Sequence, residues 1–137
     1  MTEERQVIEF VRRFHQTCLE QQDVEQIGQM LSDDIEWTGA GIYNRIKGRE
    51  NVLNAYAANQ NSDLHEYQIL NADYTASALA GHIYSFSGSC YVRCRRKQQE
   101  DGERVVRVSG ICRFEDGAGY MMRLHHSLPN RAWESDL

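Results

Sequence analysis

Two long alternating segments, Glu103 to Glu115 and Tyr120 to Leu128, are separated only by Asp116-Gly117-Ala118-Gly119. Alternation over that length, broken by a glycine-rich turn, predicts a β-hairpin around which the chain is organised. Val106, Val108, Cys112 and Phe114 share one face of its first strand, and Arg107, Ser109 and Arg113 the other. In the second strand Arg123, His125 and Ser127 alternate with Met122, Leu124, His126 and Leu128, so the two adjacent histidines point to opposite faces. One metal ion cannot easily take both rings from a regular strand. The polar trio is the more interesting set: Arg, His and Ser together recognise an anion, or His moves a proton near neutrality. The plainer reading is a solvated face.

The same periodicity extends upstream. Leu64 to Ala76 and His82 to Lys97 are strand-like runs that complete a four-stranded antiparallel meander, with a bulge predicted at Gly88. The second run sets Tyr84, Phe86, Cys90, Val92 and Cys94 against Ser85, Ser87, Ser89, Tyr91, Arg93 and Arg95. Ahead of the meander the period changes to helical. Thr2 caps a helix whose stripe is Val7, Phe10, Val11, Phe14 and Cys18, ending near Gln21 and Gln22. Asp23 and Gln26 form a capping box for a second helix with Val24, Ile27, Met30 and Leu31 inward. Ser32-Asp33-Asp34 is expected to stop it as ordinary turn residues, before a short strand, Ile35-Glu36-Trp37-Thr38. Gly48 precedes a third helix, Arg49 to Ala58, with Val52, Leu53 and Tyr56 inward. The class is therefore α+β: a curved antiparallel sheet wrapped around about three helices. Three helices cover only one sheet face, and the alternation does not choose which.

Composition narrows the function. With 137 residues, 41% hydrophobic, 26% charged and one proline, the chain reads as a single folded domain spanning 1–137. A net charge of -5 offers no general attraction for nucleic acid, and the run Arg93, Arg95, Arg96 and Lys97 reads as a charged strand end. No basic segment precedes an apolar run and no membrane span occurs, which predicts a cytoplasmic protein without membrane contact. Cys18, Cys90, Cys94 and Cys112 lack Cys-x-x-Cys spacing and are expected as small buried hydrophobes. Gly39-Ala40-Gly41 does not continue into a dinucleotide fingerprint, and no cofactor is predicted. A metal held by His65, His82 and His125 from separate strands is the least favoured arrangement, and none is predicted.

The order helix, helix, short strand, helix, long antiparallel strands resembles the nuclear transport factor 2-like superfamily, also called SnoaL-like or cystatin-like. Leu31 to Gly41 followed by Lys47-Gly48-Arg49-Glu50 is similar to the SnoaL-like small-domain pattern, and Leu124-His125-His126-Ser127-Leu128-Pro129 to that family's last strand. With Cys90-Tyr91-Val92-Arg93, this ending also resembles the association (hub) domain of calcium/calmodulin-dependent protein kinase, although Arg123 stands where the hub has histidine. The resemblance implies a sheet curled into a cone around an internal pocket, with dimers formed through the outer sheet face. By that resemblance Arg93, His125 and Ser127 line the pocket mouth with Tyr91 nearby, and Tyr84, Phe86, Val92, Val106, Val108 and Phe114 fill the dimer interface. Phe10, Phe14 and Tyr56 give apolar cover, and Trp37 and Tyr43 close the entrance. Two functions follow as expectations. One is a small-molecule-binding homodimer, sensory or scaffolding, with Arg93 holding a carboxylate-bearing ligand. The other is an isomerase, dehydratase or polyketide-cyclase-like enzyme with His125 as general acid or base.

Overall fold

A computed structural model describes residues 1–39, 45–62, 65–96 and 102–128. Helix α1 (Glu3–His15) starts where the Thr2 side chain accepts the Arg5 N–H at 3.2 Å, with Glu3 and Glu4 in the first turn to complement the helix dipole. It buries Val7, Phe10, Val11, Phe14 and His15. The helix then widens into a π-type turn, Gln16–Gln21, where the Gln22 N–H bonds back to the Thr17 carbonyl at 2.7 Å. Gln22, at φ 53°, ends it. A helix end leaves carbonyls without helical partners, and the Tyr56 hydroxyl donates to that of Cys18. Helix α2 (Val24–Gln29) is capped by Asp23, which accepts the Gln26 N–H.

Strands β1 (Leu31–Thr38) and β2 (Arg45–Lys47) precede helix α3 (Arg49–Ser62), followed by β3 (His65–Ala80), β4 (Ile83–Arg96), β5 (Gly102–Glu115) and β6 (Ala118–Ser127). They form one six-stranded sheet in the order β2-β1-β6-β5-β4-β3, in which only the β1–β6 pair is parallel. The meander is as expected, but β1 begins earlier than expected. Ser32, Asp33 and Asp34 belong to that strand rather than to a turn, because β6 captures the chain as α2 ends: the Met121 N–H bonds to the Met30 carbonyl at 2.7 Å and Leu31 pairs with Met121.

The sheet's two faces differ in chemistry. Tyr84, Phe86, Cys90, Val92, Cys94, Val108, Cys112 and Phe114 are all buried, on the face that receives the apolar stripe of α1, and Val106 is partly buried beside them. Placing these residues in a dimer interface is thus corrected. The stripe of α1 must meet an apolar layer, since burying it against Arg and Ser would strand unpaired polar groups. All four cysteines are buried, as expected of small apolar side chains. No described helix is long and apolar enough to cross a membrane.

Glycine sets the sheet's curvature at two inward-facing positions. Gly88 pairs regularly with Tyr74 and Val108, so it is not a bulge; a Cβ there would lie 2.1 Å from the Asp73 carbonyl oxygen and 2.9 Å from the Tyr74 Cα. A Cβ on Gly110 would lie 2.2 Å from the Arg123 carbonyl oxygen. The register shifts occur instead between Leu31 and Glu36 in β1, near Leu70 and Leu79 in β3 and at Met122 in β6. Because the obstacles at Gly88 are backbone atoms that cannot swing away, Gly88→Ala is expected to destabilise by about 1–3 kcal/mol. Gly102→Ala, with nothing within 4 Å of its new Cβ, should stay within about 0.5 kcal/mol of wild type. Urea unfolding midpoints of the two variants check this; equal midpoints would contradict it.

Candidate functional site

Inward-facing side chains are unevenly covered along the strands. Near the β5–β6 turn, Phe10, Tyr84, Cys112, Phe114 and Met121 are buried. Toward the other end, where β1 and β6 finish, Trp37, Tyr67, Ile69, Val106 and His126 are only partly covered, over a buried floor that includes Val92 and Cys94. Tyr56, also partly covered, is tied to the end of α1 through the Cys18 carbonyl.

At this end the first helix, first strand and last strand meet in a chain of hydrogen bonds. His15 sits on the inner stripe of α1 and is 1% exposed. Its Nδ1 lies 3.0 Å from the Val11 carbonyl one turn back, and its Nε2 lies 2.9 Å from Nε2 of His126. The Nδ1 of His126 is in turn 3.0 Å from the Trp37 indole nitrogen. The proton positions follow from donor and acceptor chemistry. A carbonyl only accepts, so His15 carries its proton on Nδ1 and its Nε2 is an acceptor. An indole N–H only donates, so His126 accepts at Nδ1 and carries its proton on Nε2, which it donates to His15. The chain runs one way: Trp37 to His126 to His15 to Val11.

Packing holds the rings in place. Tyr74 stacks on His15 at 5.4 Å between centroids with a 15° interplanar angle, while Phe14 meets the same ring edge-on at 5.6 Å and Trp37 at 5.8 Å. Tyr74 is itself fixed by a hydrogen bond to the Cys90 sulfur at 2.6 Å, and the Arg12 guanidinium lies over its ring at 5.8 Å. Burial pulls the His15 pKa down to about 4, against the opposing pull of the Val11 carbonyl. His126 is partly exposed as a residue, yet its ring is densely surrounded. That burial, then the neighbouring His15 and His125, holds its pKa well below the usual histidine range. Both imidazoles are neutral at pH 7, as the one-way chain requires.

The residues singled out from sequence divide between the two faces. Phe14 and Trp37 meet on the inner side, and Tyr56 packs against the same core. Tyr91, Arg93, His125 and Ser127 do not line it; they alternate with Cys90, Val92, Cys94, Leu124 and His126 and therefore face outward. Tyr91 is 39% exposed and donates to Glu103, which also lies 3.6 Å from Arg93. Tyr43 lies outside the described residues. A groove of about 570 Å³ crosses the outward face past Glu36, Ser85, Ser87, Ser109, Arg123 and His125. Arg123 stands 3.6 Å from Glu36 there. Arg45's hydrogen bond holds the Glu36 carboxyl below the ordinary range, helped by the charges of Arg45, Lys47 and Arg123. Among the described residues no group of three metal-ligating side chains is placed to hold an ion.

His15, His126 and Tyr74 were not singled out from sequence. The spacing Val11, His15, Cys18 follows the same four-three helical step as the apolar stripe, and His126 shares its strand face with Leu124; those are the signals that mark both rings as inward.

Two imidazoles depressed on folding make stability depend on pH. Between the folded value of about 4 for His15 and the unfolded value near 6.5, the unfolded chain binds more protons, so stability falls as pH is lowered through that window. Each fully depressed imidazole contributes a slope of about 1.4 kcal/mol per pH unit. Urea midpoints should thus decline from about pH 6.5 downward, well before carboxylates titrate, and the early decline should vanish in the double variant His15→Phe/His126→Phe. A flat profile from pH 7 to pH 5 in the wild type would contradict the assignment.

Residues 7–131 match the sequence profile of the SnoaL-like domain. No curated protein matches the sequence. Among solved structures, the fold is similar to that of an uncharacterised protein with a cystatin-like fold from Caulobacter vibrioides (TM-score 0.74, 11% identity, covering 98% of this chain and 96% of that one). It is also similar to a nuclear transport factor 2-like protein of unknown function from Pseudomonas putida (TM-score 0.69, 17% identity, 93% and 87% covered). A hexachlorocyclohexane dehydrochlorinase from Novosphingobium barchaimii is a third such structure (TM-score 0.72, 14% identity, 92% and 86% covered). These matches carry the SnoaL-like resemblance and not the finer one to the kinase association domain. The chain belongs to the SnoaL-like domain family and has its nuclear transport factor 2-like, cystatin-like fold.

Proposed function

We propose that this protein binds a small, largely apolar molecule at the open end of the cone, over Trp37 and His126. The observation that carries the reading is the set of partly covered inward side chains, among them Trp37, Tyr67 and His126, at one end of a sheet whose inward side chains near the β5–β6 turn are buried. Small-molecule sites combine such apolar and aromatic walls with few polar anchors. The carboxylate anchor assigned to Arg93 belongs to the opposite face, so it does not support this site.

A second reading, an enzyme of the isomerase or dehydratase kind, draws on the hydrogen-bond chain and on the dehydrochlorinase of similar fold. If Nδ1 of His126 took a proton from a substrate, its Nε2–H would still be received by His15, which holds the imidazolium in place. The acid–base role expected of His125 is better supported at His126.

A thermal-shift screen tests both readings, with Trp133→Phe as background so that Trp37 alone reports by fluorescence. A ligand at a hundred times its Kd should add about 2.7 kcal/mol of stability and change Trp37 emission, and both effects should be lost in His126→Ala. Binding that persists unchanged in His126→Ala would remove the open end as the site. Turnover lost in His126→Gln but kept in His125→Ala would favour the enzyme.

A further inference from the structure

The hydrogen-bond chain restricts what the open end can take. Four imidazole nitrogens are present, and each already has a partner. Three of them are out of a ligand's reach: both nitrogens of His15, which is 1% exposed, and Nε2 of His126, which points at it. The fourth, Nδ1 of His126, is held by a residue that is itself partly exposed, Trp37. Of these four nitrogens, a newcomer can reach only this one, by replacing the indole.

What replaces it must do what the indole does. The lone pair on Nδ1 accepts and cannot donate, because the Val11 carbonyl fixes the proton order of both rings. An anion would meet that lone pair without help from Arg93 or Arg123, which pair with Glu103 and Glu36 on the other face of the sheet. A cation would have to shed its water among aromatic and aliphatic side chains. The indole of Trp37, a flat apolar ring with one N–H, is the chain's own sample of what fits.

We infer that the ligand of the open end is a neutral aromatic or alicyclic molecule carrying an N–H or O–H donor, which takes over Nδ1 of His126 from the Trp37 indole. The inference rests on the binding reading above and adds the ligand's chemical class.

Matched probes separate the two. Indole against 1-methylindole, and phenol against anisole, keep ring and shape while deleting the donor. In the full chain, Kd values from protein-detected ¹H–¹⁵N spectra should favour the donor-bearing member of each pair by about tenfold. Trp37→Phe removes the competing donor and should tighten indole further while leaving 1-methylindole less affected; its spectrum also reports whether that variant is folded, and the wild-type comparison stands without it. Equal affinity within each pair would overturn the donor requirement while leaving binding at the open end intact. Benzoate binding more tightly than phenol would overturn it in favour of an anion site. Failure of all four neutral probes to bind would remove both the inference and the reading it rests on.

Discussion

A carbonyl oxygen can only accept a hydrogen bond, and in this fold the Val11 carbonyl decides the orientation of three side chains from three elements. His15 must present its proton to it, His126 must then donate to His15, and Trp37 must donate to His126. Reversing any link leaves two donors or two acceptors facing each other inside the molecule. A buried polar group without its partner costs about 1–3 kcal/mol, so the chain is cooperative: helix α1, β1 and β6 are held in register by a polar thread through a mainly apolar core. The thread also demands neutrality, because an extra proton on either ring would oppose a donor already in place.

The rest of the architecture separates two electrostatic environments across one sheet. Close strand approach at Gly88 and Gly110 curls the meander so that its apolar face closes over α1. Guanidinium and carboxylate groups collect on the outer side, where Arg123 meets Glu36 and Arg93 meets Glu103 in contact with solvent. Exposed pairs of that sort add little stability. Their consequence is one of placement: the paired charges and the neutral imidazole pair lie on opposite faces here. The imidazoles that face inward have aromatic neighbours, and the one that faces outward, His125, has hydroxyls.

Much of this was legible from residue order. The hairpin, the meander, the stripe of α1 and the capping residues Thr2 and Asp23 all follow from periodicity and turn chemistry that act locally, and the structure has them. Alternation also tells correctly the opposite directions of His125 and His126, but it groups Met122 with Leu124, where the register shift in β6 sets Met121 on the inner side instead. It could not tell which face the helices cover, because a period of two is symmetric. The stripe Val7, Phe10, Val11 and Phe14 holds the answer, since an apolar helix face needs an apolar sheet face, and the polar trio of β6 lies on the side away from that stripe. His15 was passed over because the stripe was read for hydrophobes alone. The bulge at Met122, which brings Met121 and Leu124 to the same inner side, has no glycine or proline to announce it. Likewise, the capture of Leu31 by Met121, which starts β1 ahead of Ser32 to Asp34, is a long-range pairing that a local turn signal conceals.

The proton order along the chain is the central claim, and long-range ¹H–¹⁵N correlation spectra of the histidine rings at pH 7 measure it directly. Five histidines give separable ring patterns, assigned by substituting each in turn. His15 should appear as the neutral tautomer protonated at Nδ1, and His126 as the neutral tautomer protonated at Nε2, the two being opposite in kind. The same tautomer on both rings, or a protonated imidazolium on either at pH 7, would contradict the account.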